Sequence, residues 1–280
     1  MVTINIRDKN FGGEESSCHK ATNDYVKWDF GNKAISNSCF ITDMCLDDVH
    51  KASGVKRKIA WILEPRAIHP HIYDWIEKNN RLFDYVLTYD TYLINKGENY
   101  IYYPHGRCWI TRKKSENEYF KIANGKTKMC SIIASGKNDT VGHKLRHEVI
   151  FNNYSNIDVF GHGYKSVEFK EEALEDYRFS VTIENSKQPG YWTEKIVDCF
   201  ATQTIPIFWG DESVFDHFDS SGIITFNTIY GLEEILDNIN ENGEEIYRSM
   251  QPAIAHNLKC VEQYRIPEDW IYKNYNFLMN

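Results

Sequence analysis

Residues 178–211 read RFSVTIENSKQPGYWTEKIVDCFATQTIPIFWGD. Phe179–Ile183 is a short apolar run rich in β-formers, bounded by polar residues, and reads as a buried strand. It delivers Glu184, Asn185 and Ser186 at its carboxyl end, and a loop with Pro189 and Gly190 follows. Glu194–Ala201 then reads as a helix with Ile196, Cys199 and Phe200 on one face. Thr204–Trp209 is a second strand, ended by Gly210 and Asp211. Strand, helix and strand in this order form a parallel β-α-β unit.

The same alternation runs through the rest of the chain. In the first half, Ser38–Met44, Arg57–Leu63, Phe83–Thr88 and Tyr100–Tyr103 read as strands, and Met1–Arg7 as a short alternating strand. His71–Asn79 reads as a helix with Ile72, Trp75 and Ile76 at i, i+3 and i+4. The polar stretch Thr111–Lys128 reads as a linker. Beyond it, Met129–Ala134, Ile157–Phe160 and Gly222–Phe226 are further strands. Val141–Phe151, Lys170–Tyr177 and Leu232–Ile239 are helices, and the chain is largely helical from about Glu244. At about 150 residues per domain, 280 residues make about two domains. The expectation is two Rossmann-like α/β domains, residues 1–125 and 126–280, facing each other across a cleft, with ligands beyond the carboxyl ends of the strands.

Composition narrows the function. Lys and Arg total 32 against 40 Asp and Glu, a net charge of −8, which argues against general nucleic-acid binding. The 18 Tyr, 15 Phe and 7 Trp offer flat apolar faces suited to sugars and bases as well as to a core. Seven cysteines without a Cys-x-x-Cys read as buried reduced thiols. No apolar run approaches the roughly 18 residues of a membrane span, and the N-terminus lacks the apolar core of a signal peptide, so a cytoplasmic protein is expected.

Several residues invite chemistry. Tyr191, Glu194 and Lys195 fall at i, i+3 and i+4 around a helix start, where free N–H groups and a lysine attract phosphate. A carboxylate beside them accepts hydrogen bonds from sugar hydroxyls; the plainer alternative is a solvated helix start. His143 and His147 have a zinc-compatible spacing, but no His-Glu-x-x-His order or third ligand accompanies them. His69 and His71 suit acceptor contact or no special role. The turns at Ser135-Gly136-Lys137 and Gly161-His162-Gly163 follow strands and border any ligand held there.

The run ENSKQPGYWTEKIVDCFATQTIPIFWGD (184–211) resembles the signature of the family 10 fucosyltransferases: a Glu-Asn-Ser/Thr run, a short loop, Tyr-x-Thr-Glu-Lys, a helix and a Pro-containing strand ending in Gly. Ile183 before the glutamate and Trp192 inside the second motif are variations that touch no polar group. A weaker resemblance extends from Lys58 onward, and the first 57 residues lie outside it. The resemblance implies a GT-B architecture, GDP-β-L-fucose as donor, a glycan acceptor and inversion at the anomeric carbon. It places Asn185, Tyr191, Glu194 and Lys195 at donor-site positions, and Arg146 in GHKLRHEVIF (142–151) on the donor diphosphate. It makes Glu64, at the end of IAWILE (59–64), the general base. Alternatively Glu64 is a surface carboxylate paired with Arg66 or Arg57, and Arg146 a helix-surface residue. No Asp-x-Asp occurs, so no metal is expected, and Arg146 and Lys195 would balance the leaving diphosphate. Neither the membrane anchor nor the heptad-repeat tail of other members is present, which fits a bacterial or viral enzyme. The rival functions are an inverting transferase for another nucleotide sugar and a non-catalytic module that binds a nucleotide sugar or glycan.

Overall fold

The computed structural model describes residues 1–9, 16–18, 21–34, 36–110, 112–152, 155 and 157–280. Thr111, the first residue of the expected linker, lies outside the described residues. Two compact units result: residues 1–107 with 188–191 and 263–280, and residues 108–187 with 192–262. The first thus ends at Arg107 instead of 125, and recovers the end of the chain.

The first unit is built on the parallel strands β1 (Val2–Arg7), β2 (Val26–Asp29), β3 (Ser38–Thr42), β4 (Arg57–Trp61), β5 (Tyr85–Thr88) and β6 (Tyr100–Tyr102), in the order β2-β1-β3-β4-β5-β6. Side chains alternate between two apolar layers. Phe40, Ile59, Trp61 and Leu87 join Ile271 and Leu278 on one face. Ile41, Ala60, Ile62 and Val86 join Ile72, Tyr73 and Ile76 on the other. The second face is covered by helix α1 (Pro70–Asn79), as its periodicity requires; a short α2 (Thr91–Ile94) follows β5. Sequence reasoning missed β2, whose four residues are half polar. It also ran β3 into Met44, where a 3₁₀ segment, Asp43–Lys51, begins.

The second unit opens with helix α3 (Glu116–Gly125), which corrects the linker expectation. Ser115 and Glu118 cap its start reciprocally, with Ser115 N donating to Glu118 at 2.8 Å and Glu118 N to Ser115 Oγ at 3.3 Å. Strand β7 (Lys128–Ile133), helix α4 (Val141–Phe151), β8 (Ile157–Phe160), β9 (Tyr177–Ile183), helix α5 (Glu194–Ala201), β10 (Ile205–Trp209) and β11 (Ile224–Thr225) follow. The expected helix Lys170–Tyr177 is only a 3₁₀ turn, Lys170–Ala173, because Tyr177 is drawn into β9 by pairing with Lys128. The sheet order is β11-β10-β9-β7-β8, all parallel.

Pro206 sits inside β10 without breaking a ladder. Trp209 O accepts from Glu184 N and Phe208 O from Phe226 N, so Pro206, with the parity of Phe208, faces the β11 side. There β11 begins only opposite Ile207. A single helix, α6 (Ile229–Tyr264), replaces the separate helical pieces expected after Leu232, and α7 (Pro267–Asn274) follows. In the first unit, α7 is tied to the N-terminal segment. Glu268, fully buried, accepts from Ser17 N at 2.6 Å and Trp28 Nε1 at 3.1 Å. Both units are Rossmann-like α/β layers, as the sequence predicts.

Candidate functional site

In an open parallel sheet the carboxyl ends of the strands diverge where the strand order reverses, and a crevice opens there. In the second unit that point lies between β7 and β9. A cavity of about 310 Å3 occupies it, lined by Ser135 and Lys137 beyond β7, by Ile183 and Asn185 at the end of β9, and by His143, Arg146, Glu194 and Lys195 from α4 and α5.

Helix α4 is set directly on the β9 end. Thr140 caps it by accepting from His143 N at 3.1 Å. A Cβ on Gly142 would lie 1.8 Å from Glu184 O, so only glycine lets the helix start so close to the strand. Gly142 N donates to Asn185 O at 3.1 Å. One turn later, buried Arg146 donates from Nε to Ile183 O at 3.1 Å and from Nη2 to Asn185 Oδ1 at 3.0 Å. Strand end and helix therefore fix both side chains together.

Helix α5 is braced in another way. Glu184 is fully buried and accepts from Thr193 N at 2.8 Å, from Thr193 Oγ1 at 2.9 Å and from Lys195 Nζ at 3.2 Å. Thr193 is the helix cap, and Lys195 also lies 3.5 Å from Glu194. Sequence reasoning quoted Glu184 within the motif but gave it no task. Its signal was an acidic residue at a strand end nine positions before a capping threonine.

Three further cavity residues went unread. Lys170 pairs with buried Asp198 at 2.7 Å, approaches Glu194 at 3.8 Å, and lies 4.6 Å above the Trp109 ring. Asp198 also accepts from Trp109 N at 2.7 Å. Burial works to lower the Lys170 ammonium, but Asp198 and Glu194 outweigh it and raise it, so the cation persists. Burial, with Arg146 nearby, pulls His143 down to about 4, so it is neutral at pH 7. Lys137, Arg146, Lys170 and Lys195 face Glu194 and Asp198, which leaves the lining cationic.

Tyr191 does not join this cavity. Thr193 has an extended backbone and α5 starts at Glu194, so helical spacing does not apply to Tyr191. Tyr191 belongs to the first unit, buried 5.3 Å from the Tyr89 ring and 5.7 Å from the His105 ring. Gly190 precedes it with φ +85°, and a Cβ there would lie 2.4 Å from Tyr89 O. His143 and His147 are not a pair either: His147 bonds Tyr164 Oη at 2.8 Å and Lys137 O at 2.9 Å. Lys137 of the Ser135–Lys137 turn lines the cavity, whereas the Gly161–Gly163 loop braces that turn through Gly136 N and His162 O.

Glu64 lies in the first unit, three residues past β4, on a turn held at several backbone groups. Asp43 accepts from Leu63 N at 2.8 Å and Glu64 N at 2.7 Å. Tyr73 Oη donates to Glu64 O at 2.8 Å, and Gln188 Oε1 accepts from Arg66 N at 3.1 Å. The Glu64 carboxylate itself is half-buried and makes no hydrogen bond or ion pair with a described residue. Arg66 is engaged by Asp90 at 2.7 Å and Arg57 by Asn280 O, so the expected surface pairings are not formed.

Residues 123–251 match the family model for glycosyltransferase family 10 (fucosyltransferase), C-terminal part. Over this segment the chain is similar to the family 10 glycosyltransferases. The matched segment includes Arg146, Asn185, Glu194 and Lys195, and Glu64 lies before it. An α-(1,3)-fucosyltransferase of Helicobacter pylori is 38% identical over 77 residues, 28% of this chain and 16% of its own length. A protein of Acanthamoeba polyphaga mimivirus named as a fucosyltransferase is 23% identical over 179 residues, 58% of this chain and 29% of its own. The chain thus aligns with less than a third of either relative. In fold it is similar to an α1,3-fucosyltransferase solved with GDP-fucose, with a TM-score of 0.56 at 18% identity over 89% of this chain and 81% of that one. Among the described residues no helix is long and apolar enough to cross a membrane.

Proposed function

We propose that this chain transfers L-fucose from GDP-β-L-fucose to a hydroxyl of a glycan acceptor, with inversion at the anomeric carbon and without a metal. The observation that carries this reading is the cationic cavity at the β7/β9 switch point, where Arg146 and Lys195 are each fixed by the end of β9. In the reaction the acceptor oxygen bonds to C1 of the sugar as the bond from C1 to the diphosphate oxygen breaks. The electron pair leaves with GDP, and the acceptor hydroxyl proton passes to a carboxylate. Arg146, Lys170 and Lys195 supply the positive charge that the departing diphosphate requires, already oriented before the reaction. Asn185 and Glu194 are placed to hydrogen-bond the nucleotide sugar. Tyr191 serves the donor site indirectly, by anchoring the loop before α5. Glu64 is the base: a strand-end carboxylate on a fixed turn, with no partner to satisfy among the described residues.

The family and the GDP-fucose complex of the fold relative favour fucose over another nucleotide sugar. The mimivirus relative supports a viral origin. The test is transfer of labelled fucose from GDP-fucose to a panel of oligosaccharides by wild type and Glu64→Gln. Wild-type transfer with loss in the variant supports the assignment, and near-normal transfer by Glu64→Gln removes Glu64 from it. Binding of donor without transfer to any acceptor would leave a non-catalytic binding module.

A further inference from the structure

The first unit holds a cavity of its own, about 340 Å3, at the carboxyl end of β3 and the start of α1. We propose that it is the subsite for a neutral sugar ring of the acceptor, and that its charge excludes anionic sugars; this rests on the transferase reading above.

Its walls combine two surfaces that sugar rings require. Trp75, half-buried and braced edge-on by Phe83, stands with Leu46 and Ile72 as the apolar side. Such surfaces suit the C–H faces of a pyranose. Asp43, Asp47 and His71 provide the polar side. Asp43 spends one lone pair per oxygen on Leu63 N and Glu64 N, and each oxygen retains another for a sugar hydroxyl. Asp47 and His71 are exposed at the rim, where a carboxylate and an imidazole complement hydroxyl donors and acceptors. Among the described residues its lining has two acidic groups, Asp43 and Asp47, and no lysine or arginine. A phosphate, sulfate or sialic carboxylate would enter against the Asp47 carboxylate, whereas a neutral polyol meets carboxyl oxygens and an imidazole.

Position connects the cavity with the chemistry. Asp43 lines it and also holds the backbone N–H of Glu64, the proposed base. A ring seated against Asp43 is thereby referred to the same rigid turn that carries Glu64.

Saturation-transfer NMR on the whole chain tests the assignment with lactose and cellobiose as neutral probes and 3′-sialyllactose as the anionic one. Trp75→Ala, Asp47→Asn and His71→Ala are compared with wild type, and GDP affinity is measured on each. Both neutral sugars should bind wild type more tightly than sialyllactose. Trp75→Ala should weaken them about tenfold, and Asp47→Asn should narrow the gap to sialyllactose. Because Asp47 and His71 are exposed, their variants keep the fold if packing at Trp75 fails. GDP affinity should stay unchanged throughout. No binding of either neutral sugar, binding that all three variants leave intact, or equal binding of sialyllactose by wild type would overturn the subsite. If GDP binds and fucose is transferred while these results fail, the subsite alone falls. If wild type neither binds GDP nor transfers, the transferase reading falls and takes the subsite with it.

Discussion

Two glutamates end two parallel strands of this chain, and their surroundings give them opposite work. Glu184, after β9, is fully buried, and Thr193 and Lys195 use both of its oxygens. Glu64, after β4, is half-buried, and its carboxylate bonds no described residue, although its own N–H and C=O are both held. A carboxylate whose lone pairs are spent on a cap and an ammonium holds structure together. One whose backbone is held and whose oxygens are unspent is available for a proton. Residue type is the same and both follow parallel strands, so the hydrogen-bond inventory is what separates the brace from the proposed base.

Exchanging the two substitutions breaks or sustains this contrast. Glu64→Gln should lower fucosyl transfer by about 10²- to 10⁴-fold, the usual contribution of a general base, with no change in melting temperature. Glu184→Ala should do the reverse: urea unfolding should show a loss of about 3 kcal/mol, because a buried pair loses its anion and the α5 cap its acceptor. Between these lies Arg146→Lys. It preserves charge but not the forked geometry at Ile183 O and Asn185, and GDP should bind about tenfold more weakly by calorimetry.

The smallest effects are in pH dependence and sharpen the contrast between the two units. Burial raises Asp43 to about 7, against the backbone N–H groups of Leu63 and Glu64; Glu64 adds to the rise and Arg107 opposes it. The folded chain then holds that proton where the unfolded chain has released it, so Asp43 stability is greatest below pH 4 and is lost as pH rises to 7. His143 has the opposite sign. Its value near 4, against an ordinary 6.5, contributes stability above 6.5 that is lost as pH falls to 4; burial first, then Arg146, Lys137 and Lys195, favour its neutral form and Asp139 opposes them. Thermal melts from pH 4 to 8 should lose the falling component in Asp43→Asn and the rising one in His143→Gln. Unchanged profiles in either variant would detach that residue from the slope.

Local pattern carried most of the fold. The bounds of α4 and α5 were legible because Thr140 and Thr193 cap them and apolar spacing fills one face. The linker expectation failed because α3 buries none of its residues, although Ser115 and Glu118 spelled its cap. Arg146, Asn185, Glu194 and Lys195 were named through the family resemblance, and they share one cavity. Lys170 with Asp198, and Asp43 with Glu64, went unread because each pair is joined across the fold, 28 and 21 residues apart. Nothing in local periodicity marks such a bond. Tyr191 was read by helical spacing, but it precedes Thr193, the residue that caps the start of α5, so that spacing does not reach it.

The most direct measurement is calorimetric titration of GDP-fucose and UDP-galactose into wild type and Arg146→Ala, each with and without EDTA. GDP-fucose should bind wild type equally well in both buffers, UDP-galactose should not bind, and Arg146→Ala should lose most of the affinity. Binding that EDTA abolishes, or UDP-galactose bound as tightly as GDP-fucose, would contradict a metal-free guanosine-diphosphate-sugar site built from Arg146 and Lys195.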